Sequence, residues 1–125
     1  MKYLTKDQIV KLHHVLIETS GGYSGIRDEG MLDSAVKLPL QTFDDCELFP
    51  SILDKATRLA YGLIKNHPFV DGNKRIATHA MLIFLSLNGM MLSYEDEELI
   101  DIILKVASSQ ANESDLYQWI DKHQV

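Results

Sequence analysis

Nine consecutive residues, from His67 to Arg75, bring an imidazole, a carboxylate, an amide and two cations into one short stretch, which reads His-Pro-Phe-Val-Asp-Gly-Asn-Lys-Arg. Pro68 disfavours helical geometry at the residue before it, and Gly72 permits backbone angles that other residues resist. The stretch is therefore predicted to be a sharp loop of fixed shape. A very apolar segment, Ile76 to Leu87, follows at once and predicts a buried helix.

The residue types of this loop suit the handling of phosphate groups. If the next helix begins near Asn73, its free backbone N–H groups and the positive end of its dipole face the loop, where Gly72 shapes the turn of an anion site. Lys74 and Arg75 add two formal charges. Asp71 is a candidate ligand for Mg²⁺, because that ion takes oxygen ligands and bridges to phosphate oxygens.

His67 is the candidate general base, because histidine is the side chain that changes charge near neutral pH. Plainer alternatives exist for the whole loop: a loop histidine is often merely exposed, and Asp71 could only cap a helix. Lys74 and Arg75 could be solvated charges, although cations at a helix start oppose the dipole and so favour a bound anion. A zinc site of His67, Asp71 and His79 would lack cysteine ligands and a recognised spacing.

The loop resembles the signature of the Fic/Doc family, which reads His-Pro-Phe, any residue, Asp or Glu, Gly-Asn-Gly-Arg, two residues, Arg. Lys74 stands where the common Fic pattern has its second glycine, and Thr78 where it has its second arginine. Asn-Lys-Arg at this point is typical of the Doc branch, the toxins of Phd–Doc toxin–antitoxin modules. A looser resemblance covers Gly21 to Ala35. The family resemblance thus spans the chain and implies a single domain over residues 1–125.

The resemblance implies a role for each polar residue of the loop. Fic enzymes use the histidine to deprotonate a target hydroxyl, the acidic residue to hold Mg²⁺, and the turn with its arginine to cradle nucleotide phosphates. These roles fall on His67 as the catalytic base and Asp71 as the metal ligand. The phosphate-binding role falls on Gly72, Asn73 and Arg75. Most Fic enzymes transfer AMP.

Doc-type members are similar in fold but act as kinases. They bind ATP in the reversed sense and move its γ-phosphate onto a threonine of elongation factor Tu, which halts translation. Lys74 favours this branch for two reasons. A side chain at this position crowds the turn against which an α-phosphate would pack, and an ammonium group there can stabilise charge on a terminal phosphoryl group. Thr78 also removes one arginine of the AMP-transfer pattern. The role of His79 stays open.

The function implied by this branch is that of a toxin. It is an ATP- and Mg²⁺-dependent protein kinase that phosphorylates a Ser or Thr hydroxyl of a translation factor, elongation factor Tu by resemblance. Two alternatives remain: a protein adenylyltransferase that transfers AMP, and an inactive module that only binds a partner.

Composition is typical of a small cytoplasmic protein. The chain has 125 residues, of which 46% are hydrophobic, and this is enough for a core. The formal charge of −6 argues against direct nucleic-acid binding, which needs a basic face. Cys46 is the only cysteine, so no intramolecular disulfide is expected. The longest apolar tract, Ala80 to Leu92, is interrupted and falls short of the roughly 20 residues of a membrane span.

Helical periodicity dominates the chain and predicts an all-α bundle of about six helices. The predicted helices cover approximately residues 6–18, 29–37, 52–66, 73–88, 95–108 and 115–122. The helix over 73–88 is apolar nearly all round and is expected at the centre. Ser93 and Ser114 are the expected caps of the last two helices. His13 and His14 are adjacent on the first helix and are expected at the surface.

The resemblance implies a Fic-type bundle in which residues 40–48 form a short extended flap that aligns a target peptide by strand pairing. Many Fic proteins also carry an inhibitory helix with Ser or Thr, three residues, Glu, then Gly or Asn. Neither Ser24 to Asp28 nor Ser109 to Ser114 fits that pattern. A separate Phd-like antitoxin, with a disordered segment that folds on binding, is therefore expected as a partner.

Overall fold

Six α-helices and one small hairpin build the structure, a computed structural model that describes residues 1–125. The helices are α1 Lys6–Ser20, α2 Glu29–Lys37, α3 Ile52–Asn66, α4 Asn73–Leu87, α5 Asp96–Ala107 and α6 Glu113–Lys122. A 3₁₀ turn, Leu38–Leu40, leads into strands β1 Thr42–Phe43 and β2 Cys46–Glu47, which pair antiparallel. The predicted all-α, Fic-type bundle of about six helices with a short extended flap is confirmed.

The caps of the last two helices differ from the prediction. Ser93 and Ser114 cap neither helix, because α5 begins after Glu95 and α6 after Asn112. Asn112 and Asp115 exchange two hydrogen bonds of 2.8 Å between side chain and backbone. This reciprocal capping box satisfies two N–H groups, whereas a cap at Ser114 would have Tyr117 three residues later, which cannot complete a box.

Helix α3 lies at the centre of the bundle, packed against α2, α4, α5 and α6. It buries nine residues of its fifteen, more than any other helix. Small side chains allow this close packing: a Cβ added at Gly62 would lie 3.3 Å from the Cα of Ala35 on α2. The expectation that α4 is the central helix was therefore wrong. Its apolar length had suggested full burial, but His79 and Leu87 face solvent.

Helix α4 still contributes a wide apolar face to the core. Its buried residues are Asn73, Ile76, Ala77, Ala80, Met81, Phe84 and Leu85. None of the six helices combines the length and apolar character that crossing a membrane requires.

A buried lysine on α3 holds the hairpin, here called the flap, residues 42–47. Lys55 has a side chain only 1% exposed, and its Nζ donates to the Glu47 carboxylate at 2.9 Å and to the Phe49 carbonyl. The tip of the flap turns through Asp44 and Asp45, both with positive φ. The flap is thus tied to the bundle at one end while its tip is exposed.

Replacing Lys55 by methionine keeps the length of the buried stem but removes its hydrogen bonds, each worth about 1.5–3 kcal/mol when a charge takes part. We expect the amide of Leu48, which donates to the Gln41 carbonyl at 3.1 Å, to exchange with solvent roughly tenfold faster or more. The melting temperature should fall less than these bond energies suggest, because they act on the flap and the exposed Glu47 carboxylate can bind water instead. Hydrogen exchange read by mass spectrometry measures this.

The matched control is Lys105→Met, which removes an exposed lysine paired with Asp101 on α5. It should leave the flap unchanged. Wild-type exchange at Leu48 in Lys55→Met would mean that the flap holds its shape without the buried lysine.

Candidate functional site

The loop between α3 and α4 begins at His67, the residue before Pro68, as the sequence predicts. Helix α3 ends at Asn66, and His67 takes a left-handed conformation with φ 49° and ψ 54°. Arg27 fixes this turn, since its Nε donates to the His67 carbonyl at 2.6 Å and its Nη2 to the Asn66 carbonyl at 2.9 Å. The imidazole of His67 is exposed and makes no hydrogen bond to another protein group. It is therefore free to contact a substrate.

The amide side chain of Asn73 closes the loop from inside. Its Nδ2 donates to the carbonyl of Phe69 at 3.0 Å, and its Oδ1 accepts the N–H of Phe69 at 2.9 Å. Asn73 is 5% exposed and Phe69 is fully buried. Both polar atoms of the side-chain amide thus bond to the backbone of Phe69. The group of Asn73 that remains available to a phosphate is its backbone N–H.

The loop also pairs with the segment before α2. The N–H of Val70 donates to the Gly25 carbonyl at 3.0 Å, and the N–H of Arg27 donates to the Pro68 carbonyl at 2.7 Å. Ile26 and Phe69 form an antiparallel bridge. The two segments that carry the sequence resemblance, distant along the chain, are therefore in direct contact.

Helix α4 begins at Asn73 without a side-chain cap. Gly72 precedes it with φ 74° and ψ 20°, and the first helical hydrogen bond runs from Ile76 to the Gly72 carbonyl at 2.9 Å. The N–H groups of Asn73, Lys74 and Arg75 consequently have no acceptor in the protein. Three free donors at the positive end of a helix dipole are an arrangement that suits an anion.

These donors line a cleft of about 420 Å³. All six residues singled out from the sequence line this same cleft, namely His67, Asp71, Gly72, Asn73, Lys74 and Arg75; Ile64, Val70 and Ala107 complete its walls. The cleft therefore joins an exposed imidazole, a carboxylate, two cations and the helix start. The role of each residue toward a ligand stays a prediction.

Asp71 is held in place by backbone donors. Its Oδ1 accepts the N–H of Gly72 at 2.8 Å, and its Oδ2 accepts the N–H of Tyr23 at 3.1 Å. These hydrogen bonds, that of Tyr23 first, lower the pKa of the Asp71 carboxyl below its ordinary value, and the charge of Arg75 adds to the effect. The carboxylate is thus ionised at neutral pH, which is the state a metal ligand needs.

A glycine-containing turn after α1, residues 21–23, contacts the side chains of Asp71 and Arg75. Arg75 donates from Nη1 to the Gly21 carbonyl at 2.8 Å. A Cβ added at Gly22, whose φ is +115°, would lie 2.6 Å from Oδ2 of Asp71. The turn therefore needs glycine at position 22, and it orients both the carboxylate and the guanidinium.

His13 was expected at the surface, and this expectation was wrong. The side chain is 3% exposed, its ring stacks on Phe69 with centroids 3.8 Å apart, and its Nε2 donates to the Asp71 carbonyl at 2.7 Å. Only His14 faces solvent, where it pairs with Glu18 at 3.0 Å. A signal was present in the sequence: His13 stands four residues after Ile9 and four before Ile17, both buried.

A second groove, of about 270 Å³, adjoins the cleft between α4 and α5. Its lining is Lys74, Arg75, Thr78, His79, Leu99, Ile100, Ile103 and Leu104. Lys74 and Arg75 border both spaces, so the groove continues the cleft. Ile100 is 57% exposed and Leu104 50% exposed, which gives the groove an open apolar wall. His79 lies in this groove and not in the cleft.

No group of three or more His, Cys, Asp or Glu side chains is placed to hold a metal ion. Asp71 is therefore a lone carboxylate in this part of the structure, not one member of a cluster of metal-binding side chains.

Sequence comparison identifies known proteins to which this chain is similar. A sequence model described as the Fic/DOC family matches residues 3–85. The chain is 34% identical over 109 residues to Toxin Doc of Mycolicibacterium smegmatis, which covers 86% of this chain and 82% of that protein. It is 25% identical over 114 residues to Protein kinase doc of Escherichia phage P1, with 91% and 89% covered. The matched region holds the entire loop, and the chain belongs to the Fic/Doc family.

Proposed function

We propose that this protein is a Doc-like toxin that uses ATP and Mg²⁺ to phosphorylate a Ser or Thr hydroxyl of a translation factor, with elongation factor Tu as the expected target. One observation carries the proposal: a single cleft joins three free helix N–H groups, two cations, an ionised carboxylate and an exposed imidazole. The names of the two relatives, a toxin and a protein kinase, support the same class.

The triphosphate would bind at the start of α4. The free N–H groups of Asn73, Lys74 and Arg75 offer donors, and Gly72 has no Cβ to hinder the approach of a phosphate. The apolar groove between α4 and α5 leads away from this point and provides room for the nucleoside. Lys74 takes part in no ion pair within the protein, so its charge is available to a phosphate.

Asp71 fits a Mg²⁺ ion that arrives with the nucleotide. Each of its oxygens accepts one backbone N–H and keeps a lone pair free. Nucleotide-bound Mg²⁺ is commonly held by one or two carboxylates, with phosphate oxygens and water as the other ligands. Bound there, Mg²⁺ would neutralise charge on the phosphates.

His67 would act as the general base. Its free imidazole accepts the proton of the acceptor hydroxyl, whose oxygen attacks the γ-phosphorus. The bond from the γ-phosphorus to the β–γ bridging oxygen breaks, and ADP leaves. Lys74 and Arg75 stabilise the charge on the transferred phosphoryl group and on the leaving phosphate.

Position 74 favours phosphate transfer over AMP transfer. The side chain of Lys74 is exposed at the first turn of α4 and borders both the cleft and the groove. An ammonium at this point matches a terminal phosphoryl group better than an α-phosphate that carries a nucleoside. Protein adenylylation and a purely binding role remain the alternatives.

Control of the toxin would come from a second chain. The sequence has no inhibitory helix of the Fic type, and the cleft is open to solvent through the exposed His67 and Lys74. A Phd-like antitoxin that covers the cleft is therefore the expected partner.

Labelled ATP decides among the three functions. We expect label from the γ-phosphate, and none from the α-phosphate, to appear on purified elongation factor Tu after incubation with the protein and Mg²⁺. Transfer of the α-label would establish AMP transfer. If neither label moves but the two proteins form a complex, the binding role is correct and the kinase proposal fails.

His67→Ala removes the proposed base without touching the phosphate donors. The transfer rate should fall by about 10²- to 10⁴-fold, while the affinity for an ATP analogue changes little. Single-turnover phosphorylation and calorimetry measure the two quantities. His14→Ala, a change at an exposed histidine of α1, is the control and should transfer at the wild-type rate. Equal rates in all three proteins would exclude His67 as the base.

Asp71→Asn keeps the size of the side chain but removes its charge and one of the two acceptors that bind the N–H groups of Gly72 and Tyr23. Affinity for the ATP analogue in the presence of Mg²⁺ should fall by roughly tenfold, or about 1.4 kcal/mol, and affinity without Mg²⁺ should not fall. Calorimetric titration with Mg²⁺ or with EDTA separates the two conditions. Asp101→Asn, at an exposed carboxylate of α5, is the matched control. An equal loss of affinity in EDTA would mean that Asp71 does not act through the metal.

A further inference from the structure

We infer that His13 is a positioning residue of the site, which acts through its hydrogen bond to the Asp71 carbonyl. The role rests on the proposed function only in so far as the positioned groups bind Mg²⁺ and phosphate. His13 itself lines neither the cleft nor the groove.

The hydrogen bond fixes the position of one ring proton. The partner of Nε2 is a backbone carbonyl at 2.7 Å, which can only accept, so Nε2 carries a proton. The ring is 3% exposed and lies nearly parallel to Phe69, with an interplanar angle of 12°. Stacking on the buried Phe69 side chain and donation to Asp71 together hold the imidazole in one orientation.

The Asp71–Gly72 peptide is the part of the loop that most needs such support. Gly72 has φ 74°, and as a glycine it can adopt many other conformations, so this peptide is free to rotate unless something holds it. The same peptide carries the N–H that donates to the Asp71 carboxylate at 2.8 Å. Rotation would therefore move the proposed metal ligand and the start of α4 together.

Two side chains bond to this peptide: the Asp71 carboxylate accepts its N–H, and His13, from outside the loop, donates to its carbonyl. Asn73 holds the loop only at Phe69, and Arg27 holds it only at residues 66 and 67. The Asp71 carbonyl accepts no other hydrogen bond. Loss of the donor from α1 would leave that carbonyl without a partner and able to turn toward the cleft, where it would repel phosphate.

Two substitutions separate positioning from packing. His13→Phe keeps an aromatic ring against Phe69 but has no donor, whereas His13→Gln keeps an N–H donor near the position of Nε2 but has no ring. His14→Phe and His14→Gln make the same changes one residue away, at an exposed site of α1. They control for general effects of each side chain on the helix.

We expect His13→Phe, which keeps an aromatic ring against Phe69, to have a higher melting temperature than His13→Gln but to bind Mg²⁺ with an ATP analogue roughly 10- to 100-fold more weakly than the wild type, as for other residues that orient a metal ligand. His13→Gln should recover most of that affinity despite a lower melting temperature. Affinity that follows melting temperature instead, with the glutamine variant weaker than the phenylalanine variant, would overturn the inference.

Backbone NMR tests the inference even if the protein does not use ATP. In His13→Phe the amide resonances of residues 71–75 should shift and broaden, while those of α6 stay in place; in His13→Gln they should return toward the wild-type positions. Wild-type resonances over 71–75 in His13→Phe would refute positioning. If the wild-type protein binds no ATP analogue but the NMR result is as expected, the proposed function fails and the positioning role stands.

Discussion

The amide of Asn73 donates to and accepts from the backbone of one residue, Phe69, and both hydrogen bonds are buried. An unpaired amide at this depth would be costly, so the loop is held in the one shape that satisfies it. That shape leaves the first turn of α4 uncapped. The N–H groups of residues 73–75 are free because the residue at the N-cap, Gly72, has no side chain to accept them, and the amide of Asn73 is used to close the loop.

Support for the loop comes mainly from the N-terminal part of the chain. Arg27 and the backbone of residues 25–28 hold its first half, and His13 and the turn at residues 21–23 hold its second half. Every group in this set is a backbone atom or a side chain that bonds to backbone. The residues that support the loop lie within residues 3–85, the part of the chain that the family model matches.

Features that depend on local backbone preferences could be predicted from the sequence. Pro68 ends one helix and Gly72 precedes the next, and both effects act within a few residues. Side chains whose environment is made by distant segments were missed. His13 and Lys55 are polar, and their burial depends on acceptors at Asp71, Glu47 and Phe49, which the chain brings close only when folded. The sequence also failed to show that α3, and not α4, is the central helix, because the burial of each helix depends on the other helices packed around it.

The cleft contains two unpaired cations, Lys74 and Arg75, although the chain as a whole is acidic. The chain is acidic, with a net charge of −6, and several of its cations are already paired with carboxylates. Arg58 pairs with Glu113, and other such pairs involve Lys6, Lys55 and Lys105. Lys74 and Arg75 have no such pairing, and they stand at the positive end of α4. An acidic surface repels extended polyanions, whereas a small, metal-bearing phosphate ligand can enter the one cleft where cations and free N–H groups coincide. This distribution of charge supports the proposed nucleotide substrate.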